Sequence, residues 1–217
     1  MTVQKRRYEK KRRAELEAET RRRITEAAHR LFGERGFQAV TVVEVARAAE
    51  VAEATLFNYF PTKEDLFYSG LEAFGARLVE AVRDRAEGES ALAAFRAGLL
   101  ADAGQLDRIA AGDPEALDRA RTTARVIVAS PALQARERQV LMGIAAELAD
   151  AIGPVAPEPV PRAVANALMG VHIALVEYTR ARLLADDRPE ALAADVQARA
   201  AEALGLLEHG LAAFAPA

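Results

Sequence analysis

The chain is 217 residues long, 51% apolar, without cysteine, and carries 29 Lys+Arg against 32 Asp+Glu for a net charge of −3. A chain of that length buries roughly 70% of its unfolded surface and needs no disulfide or metal staple. The absence of Cys excludes disulfide frameworks, thiolate metal sites and thiol catalysis. His29, His172 and His209 are too far apart in sequence to suggest a zinc site, so no metal and no cofactor are expected.

The longest nearly apolar stretch, ALMGVHIALV at 167–176, is about half the length that a bilayer crossing needs. The basic start is followed by more charge instead of an apolar segment, unlike a secretory signal. A cytoplasmic protein with no membrane partner is therefore expected. Residues 1–63 carry 14 basic and 9 acidic side chains, so the rest of the chain is strongly acidic. A basic module inside an acidic protein points either to polyanion binding or to a solvated charge run.

Hydrophobic periodicity is helical throughout, and Gly and Pro fall at punctuation points, which predicts an all-α fold. The stretch KRRYEKKRR at 5–13 holds seven basic residues in nine. It reads as a basic arm over residues 1–20 that either enters a minor groove, lies along phosphates, or is a solvated tail. A first long helix is predicted to end at Gly36, with Ile24, Ala28, Leu31 and Phe32 in one stripe and Phe37 returning onto Phe32 in a Schellman arrangement. Thr41 and Glu44 form a capping box that opens a short helix over 42–49. A third helix runs from Glu53 to Phe60, where Pro61 stops it. Thr62 then caps a long fourth helix through the mid-80s.

A segment around 90–110 reads as helix with weaker boundaries. Asp113-Pro114 and Ser130-Pro131 set caps before prolines at N1, predicting helices over 114–129 and 131–152. GPVAPEPVP at 153–161 is a loop, and two long helices follow over 160–185 and 189–213. The first of these is apolar nearly all round and the second adds the stripe Leu192, Val196, Ala200, Ala203, Leu204, Leu207 and Leu211. Two such surplus faces suggest a homodimer packed as a four-helix bundle.

Three helices of about 15, 8 and 7 residues within 21–63, joined by tight turns, make a helix-turn-helix unit. On the third, Leu56 and Phe60 point inward while Ala54, Thr55 and Asn58 face outward with Phe57 and Tyr59 on the flanks. Thr and Asn are able to bond base edges, a small Ala54 permits close approach, and Tyr59 reaches phosphate. Thr41 and Lys63 stand at helix amino termini, where phosphate is favoured.

Residues 24–67, ITEAAHRLFGERGFQAVTVVEVARAAEVAEATLFNYFPTKEDLF, closely resemble the amino-terminal domain of the tetracycline-repressor-like (TetR/AcrR) family of bacterial transcriptional regulators. The resemblance implies that Thr41, Thr55, Asn58, Tyr59 and Lys63 hold DNA-contacting positions. It also implies a homodimer on a pseudo-palindromic operator in double-stranded DNA. Three residues depart from the family pattern: Phe57 where Tyr is frequent, Ala52 where Ser or Thr caps the recognition helix, and Glu50 where Gly is common in the turn.

Residues 64–217 then read as a helical effector-binding and dimerisation domain. Its buried polar residues suggest a hydrophobic cavity lined by Phe74, Phe95, Met142 and Met169, with His172 orienting a small, largely apolar effector and Arg121 and Arg125 meeting an anionic group. Asn166 is a further polar residue in the most apolar helix. The alternative is a satisfied core histidine, solvated arginines and ordinary core aromatics. The fourth helix is the expected lever between effector and DNA. No Gly-rich phosphate loop, GxSxG elbow, HExxH or paired-carboxylate constellation supports an enzyme. The competing function is a helical module whose basic end holds nucleic acid or membrane nonspecifically.

Overall fold

The computed structural model describes residues 3–101, 104–153, 157–185 and 188–210, leaving aside the side chains of 3–7 and 10. Every regular element among them is an α-helix. The chain divides into two compact units, Met1–Ser69 and Gly70–Ala217, so the first unit closes a few residues beyond the expected boundary at 63.

Unit 1 contains α1 (Val3–Arg35), α2 (Val42–Ala48), α3 (Glu53–Tyr59) and α4 (Lys63–Phe67). The basic arm is not a separate segment, because its described residues lie inside α1. Exposed i,i+4 pairs, Lys11 with Glu15 and Arg13 with Glu17, lie along the helix surface in the spacing that favours helix. No proline interrupts the run. A helix about 10–12 Å across does not fit a minor groove about 6 Å wide, so of the expected readings the phosphate contact and the solvated run remain.

The buried face of α1 begins at Ile24 and continues through Ala28, Leu31 and Phe32. The helix stops where Gly36 takes φ 78° and gives its amide to the Phe32 carbonyl at 2.9 Å. This single bond is the simpler left-handed closure in place of the expected Schellman pair. Phe37 still returns onto Phe32, with ring centroids 5.3 Å apart, and Phe67 completes the cluster.

The expected continuous helix from Thr62 to the mid-80s is two helices, α4 and α5 (Ser69–Arg83), broken at Tyr68. The Ser69 hydroxyl donates to the Leu66 carbonyl at 2.8 Å and lies 3.1 Å from His29 Nε2. A hydroxyl that competes for backbone carbonyls, followed by Gly70, is a recognised site of helix kinking.

Unit 2 takes α5 onward: α6 (Ala91–Ala101), α7 (Gly104–Ala110), α8 (Pro114–Val128), α9 (Pro131–Ile152), α10 (Val160–Ala185) and α11 (Pro189–His209). Asp113 and Ser130 cap α8 and α9 before their N1 prolines. Helix α10 is the axis of the unit and packs against α6, α8, α9 and α11, with Leu168, Met169, Val171 and Leu175 buried. Val160 and Val164, near its start, remain exposed. Helix α11 buries Leu192, Ala200 and Leu204 and ends at His209, where Gly210 adopts φ 83°. This is short of the expected 213, and Leu211 lies outside the described residues. No described helix is long and apolar enough to cross a membrane.

Candidate nucleic-acid interface and ligand cavity

Helix α3 is held from beneath by Leu56 and Phe60, which are 0% and 1% exposed. Two inward anchors one turn apart leave the opposite face to solvent. Ala54, Phe57 and Asn58 are exposed, and Thr55 and Tyr59 are half-buried. Asn58 and Thr55 therefore present amide and hydroxyl groups on a rigid, short, small-residue face, which is the chemistry that base edges accept.

Two arginines missing from the sequence reading brace this face. The Arg21 guanidinium lies 4.4 Å from the Phe60 ring centroid and donates to the Tyr59 carbonyl at 3.4 Å, at the end of α3. Arg23 donates to the carbonyls of Ala49 and Glu50, at 2.6 and 3.0 Å, and so clamps the turn between α2 and α3. Both belong to the run Arg21-Arg22-Arg23, and only the register of α1 separates them from Arg22, which pairs with Glu19 and Glu26.

The turn itself carries two of the departures. Glu50 sits at φ 54°, and its amide bonds the Arg47 carbonyl while that of Val51 bonds the Ala46 carbonyl. This is a full Schellman closure with a glutamate at the left-handed position. Ala52 is the N-cap of α3 and supplies no side-chain cap.

Thr41 and Lys63 are engaged within the unit. The Thr41 hydroxyl donates to Glu44 Oε2 at 2.8 Å and accepts from the Glu44 amide at 3.3 Å. Hydrogen bonds from the Thr41 backbone and side chain, with Arg35 beside it at 2.7 Å, hold the Glu44 carboxyl far below its ordinary range, at about 2. The Lys63 ammonium lies 4.2 Å from the Phe37 centroid, and burial pushes its pKa down.

In unit 2 a cavity of about 400 Å³ opens among α5, α6, α7, α8, α10 and α11. Phe74 and His172 both line it, their rings stacked with centroids 5.0 Å apart. The other predicted wall residues lie elsewhere. Phe95 is 0% exposed and belongs to the core. Met142, 73% exposed, and Met169, 2% exposed, border a separate groove between α9 and α10, as does the exposed Asn166. Arg121 is half-buried and Arg125 exposed, and neither lines the cavity. The reason is rotational: the buried stripe of α8 is Ala116, Ala120, Ala124 and Ile127, and Ala120, Ala124 and Ile127 take the cavity wall.

The cation at the wall is Arg180 of α10, which sequence reasoning missed. It is bonded to Glu137 at 2.5 Å, with the two side chains only 17% and 14% exposed. His172, Val176, Thr179, Arg180 and Leu183 all line the cavity at i, i+4, i+7, i+8 and i+11, so a step along the helix from His172 would have found Arg180. No cluster of metal-ligating side chains occurs among the described residues.

Comparison with known proteins agrees with both halves. The family model of bacterial regulatory proteins, tetR family, matches residues 24–69, and that of the MftR C-terminal domain matches residues 89–212. The transcriptional regulator MftR of Mycobacterium tuberculosis is 31% identical over 160 residues, covering 71% of this chain and 77% of that protein. The transcriptional repressor KstR of the same organism is 33% identical over 120 residues, covering 54% of this chain and 53% of that protein. A TetR-family regulator structure from Rhodococcus sp. superposes with TM-score 0.50 at 23% identity, over 88% of this chain and 98% of that one, and shares the fold. With one model spanning more than half of its length and a relative matched over most of both sequences, the chain belongs to the TetR family of bacterial regulatory proteins and is a DNA-binding transcriptional regulator.

Proposed function

We propose that this regulator is a cytoplasmic repressor that binds a pseudo-palindromic operator as a homodimer and leaves it when a small, largely apolar effector enters the cavity of unit 2. The observation that carries the reading is the outward face of α3, with Ala54, Thr55 and Asn58 displayed over the buried anchors Leu56 and Phe60. Tyr59, Thr41 and Lys63 are assigned to phosphate, for which Lys63 leaves the Phe37 ring. The relative KstR is itself a transcriptional repressor, which supports repression over activation. Val160 and Val164 are exposed on α10, and a groove between α10 and α11 runs past Leu175, Tyr178 and Leu206. These surfaces support a dimer through the last two helices.

Release is a population shift: the effector acts only if it binds the DNA-incompetent state more tightly than the DNA-bound one. Coupling from unit 2 travels along the chain through Tyr68, Ser69 and Gly70, where α4 gives way to α5.

Fluorescence anisotropy on the protein's own upstream DNA, with competitor DNA present, tests the reading. Asn58→Ala and Thr55→Ala are expected to lose about 1–3 kcal/mol of operator discrimination each, while nonspecific affinity and its salt slope stay as they are. Unchanged discrimination in both variants, or salt-sensitive retention without sequence preference in the parent, refutes it.

A further inference from the structure

The cavity of unit 2 contains a side chain that the core leaves chemically unfinished. His172 is 7% exposed, stacks on Phe74, and has an Nε2 atom shut from solvent without a hydrogen-bond partner. Burial lowers its pKa to about 4, so at neutral pH the ring is uncharged, with one N–H and one lone pair. Buried polar atoms are nearly always paired, so an unpaired ring nitrogen on a residue of the cavity wall is the group left for a bound molecule to satisfy. Around it the wall is apolar, with Leu71, Leu99, Ile127 and Leu175.

Arg180 is the charged side chain of that wall, and its charge is already matched by Glu137. A ligand carboxylate at Arg180 would share with buried Glu137 a guanidinium whose single charge Glu137 already neutralises, placing a second, uncompensated negative charge in the site, which is unfavourable. The neighbouring Thr179 hydroxyl donates to the Leu175 carbonyl at 2.7 Å.

We propose that His172 is the specificity anchor for an uncharged effector that brings one hydroxyl or carbonyl oxygen into the apolar cavity, and that the Arg180–Glu137 pair rejects the carboxylate of the same skeleton. The proposal rests on the effector reading above and deepens it.

The test uses the full-length protein loaded with Nile red and displaced by 1-decanol, 2-decanone, decanoate and decylamine at pH 8. Decanol or decanone is expected to displace the dye at concentrations at least tenfold below those of decanoate and decylamine, as one buried hydrogen bond and one avoided charge burial require. His172→Phe weakens the preferred compound about tenfold, and His172→Gln, which keeps a bonding group, recovers part of that loss. Glu137→Gln frees Arg180 and strengthens decanoate about tenfold while leaving decanol unchanged. Far-UV circular dichroism verifies that each variant is folded. Equal or better binding of decanoate by the parent, or decanol binding indifferent to both His172 variants, overturns this inference alone. Failure of Nile red and all four compounds to bind overturns the effector reading together with it.

Discussion

Glu50 offers a quantitative test of the turn that presents the recognition helix. It occupies φ 54° between α2 and α3, a conformation that costs an L-residue about 1–2 kcal/mol and glycine nothing. Glycine in turn loses more chain entropy on folding, by about 0.5–1 kcal/mol. The difference predicts that Glu50→Gly stabilises the protein by about 0.5–1 kcal/mol. The bonds that hold the turn are unaffected by the change, because residues 49–51 take part in them only through backbone amides and carbonyls. Arg23 bonds the carbonyls of Ala49 and Glu50, and the amides of residues 50 and 51 bond Arg47 and Ala46.

For a chain of this size about 1 kcal/mol moves Tm by about 2–4 °C, so thermal melting followed by circular dichroism should rise by about 1–4 °C. Glu50→Ala separates backbone from charge, since it removes the exposed carboxylate but retains the Cβ that creates the strain. Its stability should stay within about 0.5 kcal/mol of the parent. Hydrogen exchange at the Val51 amide should slow in the glycine variant and not in the alanine one. A glycine variant no more stable than the alanine variant refutes the argument that this turn stores backbone strain.

Two further outcomes follow from unit 1 and unit 2. A Cβ added to Gly75 of α5 would overlap both Cγ1 and Cδ1 of Ile144 on α9, so Gly75→Ala should destabilise by about 1–3 kcal/mol of overpacking, offset by up to about 1 kcal/mol of helix propensity. In an Ile144→Ala background the same substitution should become stabilising, and urea denaturation of the four proteins shows whether the sign reverses. The Glu44 carboxyl, held at about 2 by Thr41 and Arg35 against an ordinary 4.5, contributes stability that is complete above about pH 4.5 and lost as pH falls toward 2. The Tm gap between the parent and Glu44→Gln should therefore be widest at pH 6 and shrink steadily below pH 4; a gap independent of pH contradicts the capping role.

Much of unit 1 was legible because its signals are local. Thr41 with Glu44, Pro61, Thr62 and Gly36 each determine backbone within four residues of themselves, and each does so in the structure. The inward pair Leu56 and Phe60 followed from helical period alone. The break at Tyr68 was not legible, because the hydroxyl that causes it is fixed partly by His29, forty residues earlier. The cavity was the hardest part to read. Phe74 and Phe95 are equally apolar in sequence, and only the rotation of α5 and α6 against α10 decides which one meets empty space. Arg121 and Arg125 stood beside an apolar stripe, but that stripe itself faced the cavity and carried the arginines away from it. His172 was separable from its neighbours because a titratable ring in the most apolar segment is chemically costly wherever it packs.

The cavity is also informative as an energetic fact. Protein interiors are packed like organic crystals, and a dry void is destabilising by about 24 cal/mol per Å³. Applied to about 400 Å³ that slope gives about 10 kcal/mol, as large as the entire stability of an ordinary domain. A sealed, dry void of that size would therefore not persist. Thr123, Gln105 and Gln197 are exposed residues of its wall, so water enters. Water against leucine, isoleucine and phenylalanine is itself the driving force that an apolar ligand relieves. The chain meanwhile places Ala120, Ala124 and Ala200 on the same wall, although leucine fills equivalent buried positions elsewhere in α9, α10 and α11. Any one of these alanines, enlarged, would close part of the space and remove exposed apolar surface. Their presence sets the room for a ligand above the stability that a filled core would provide.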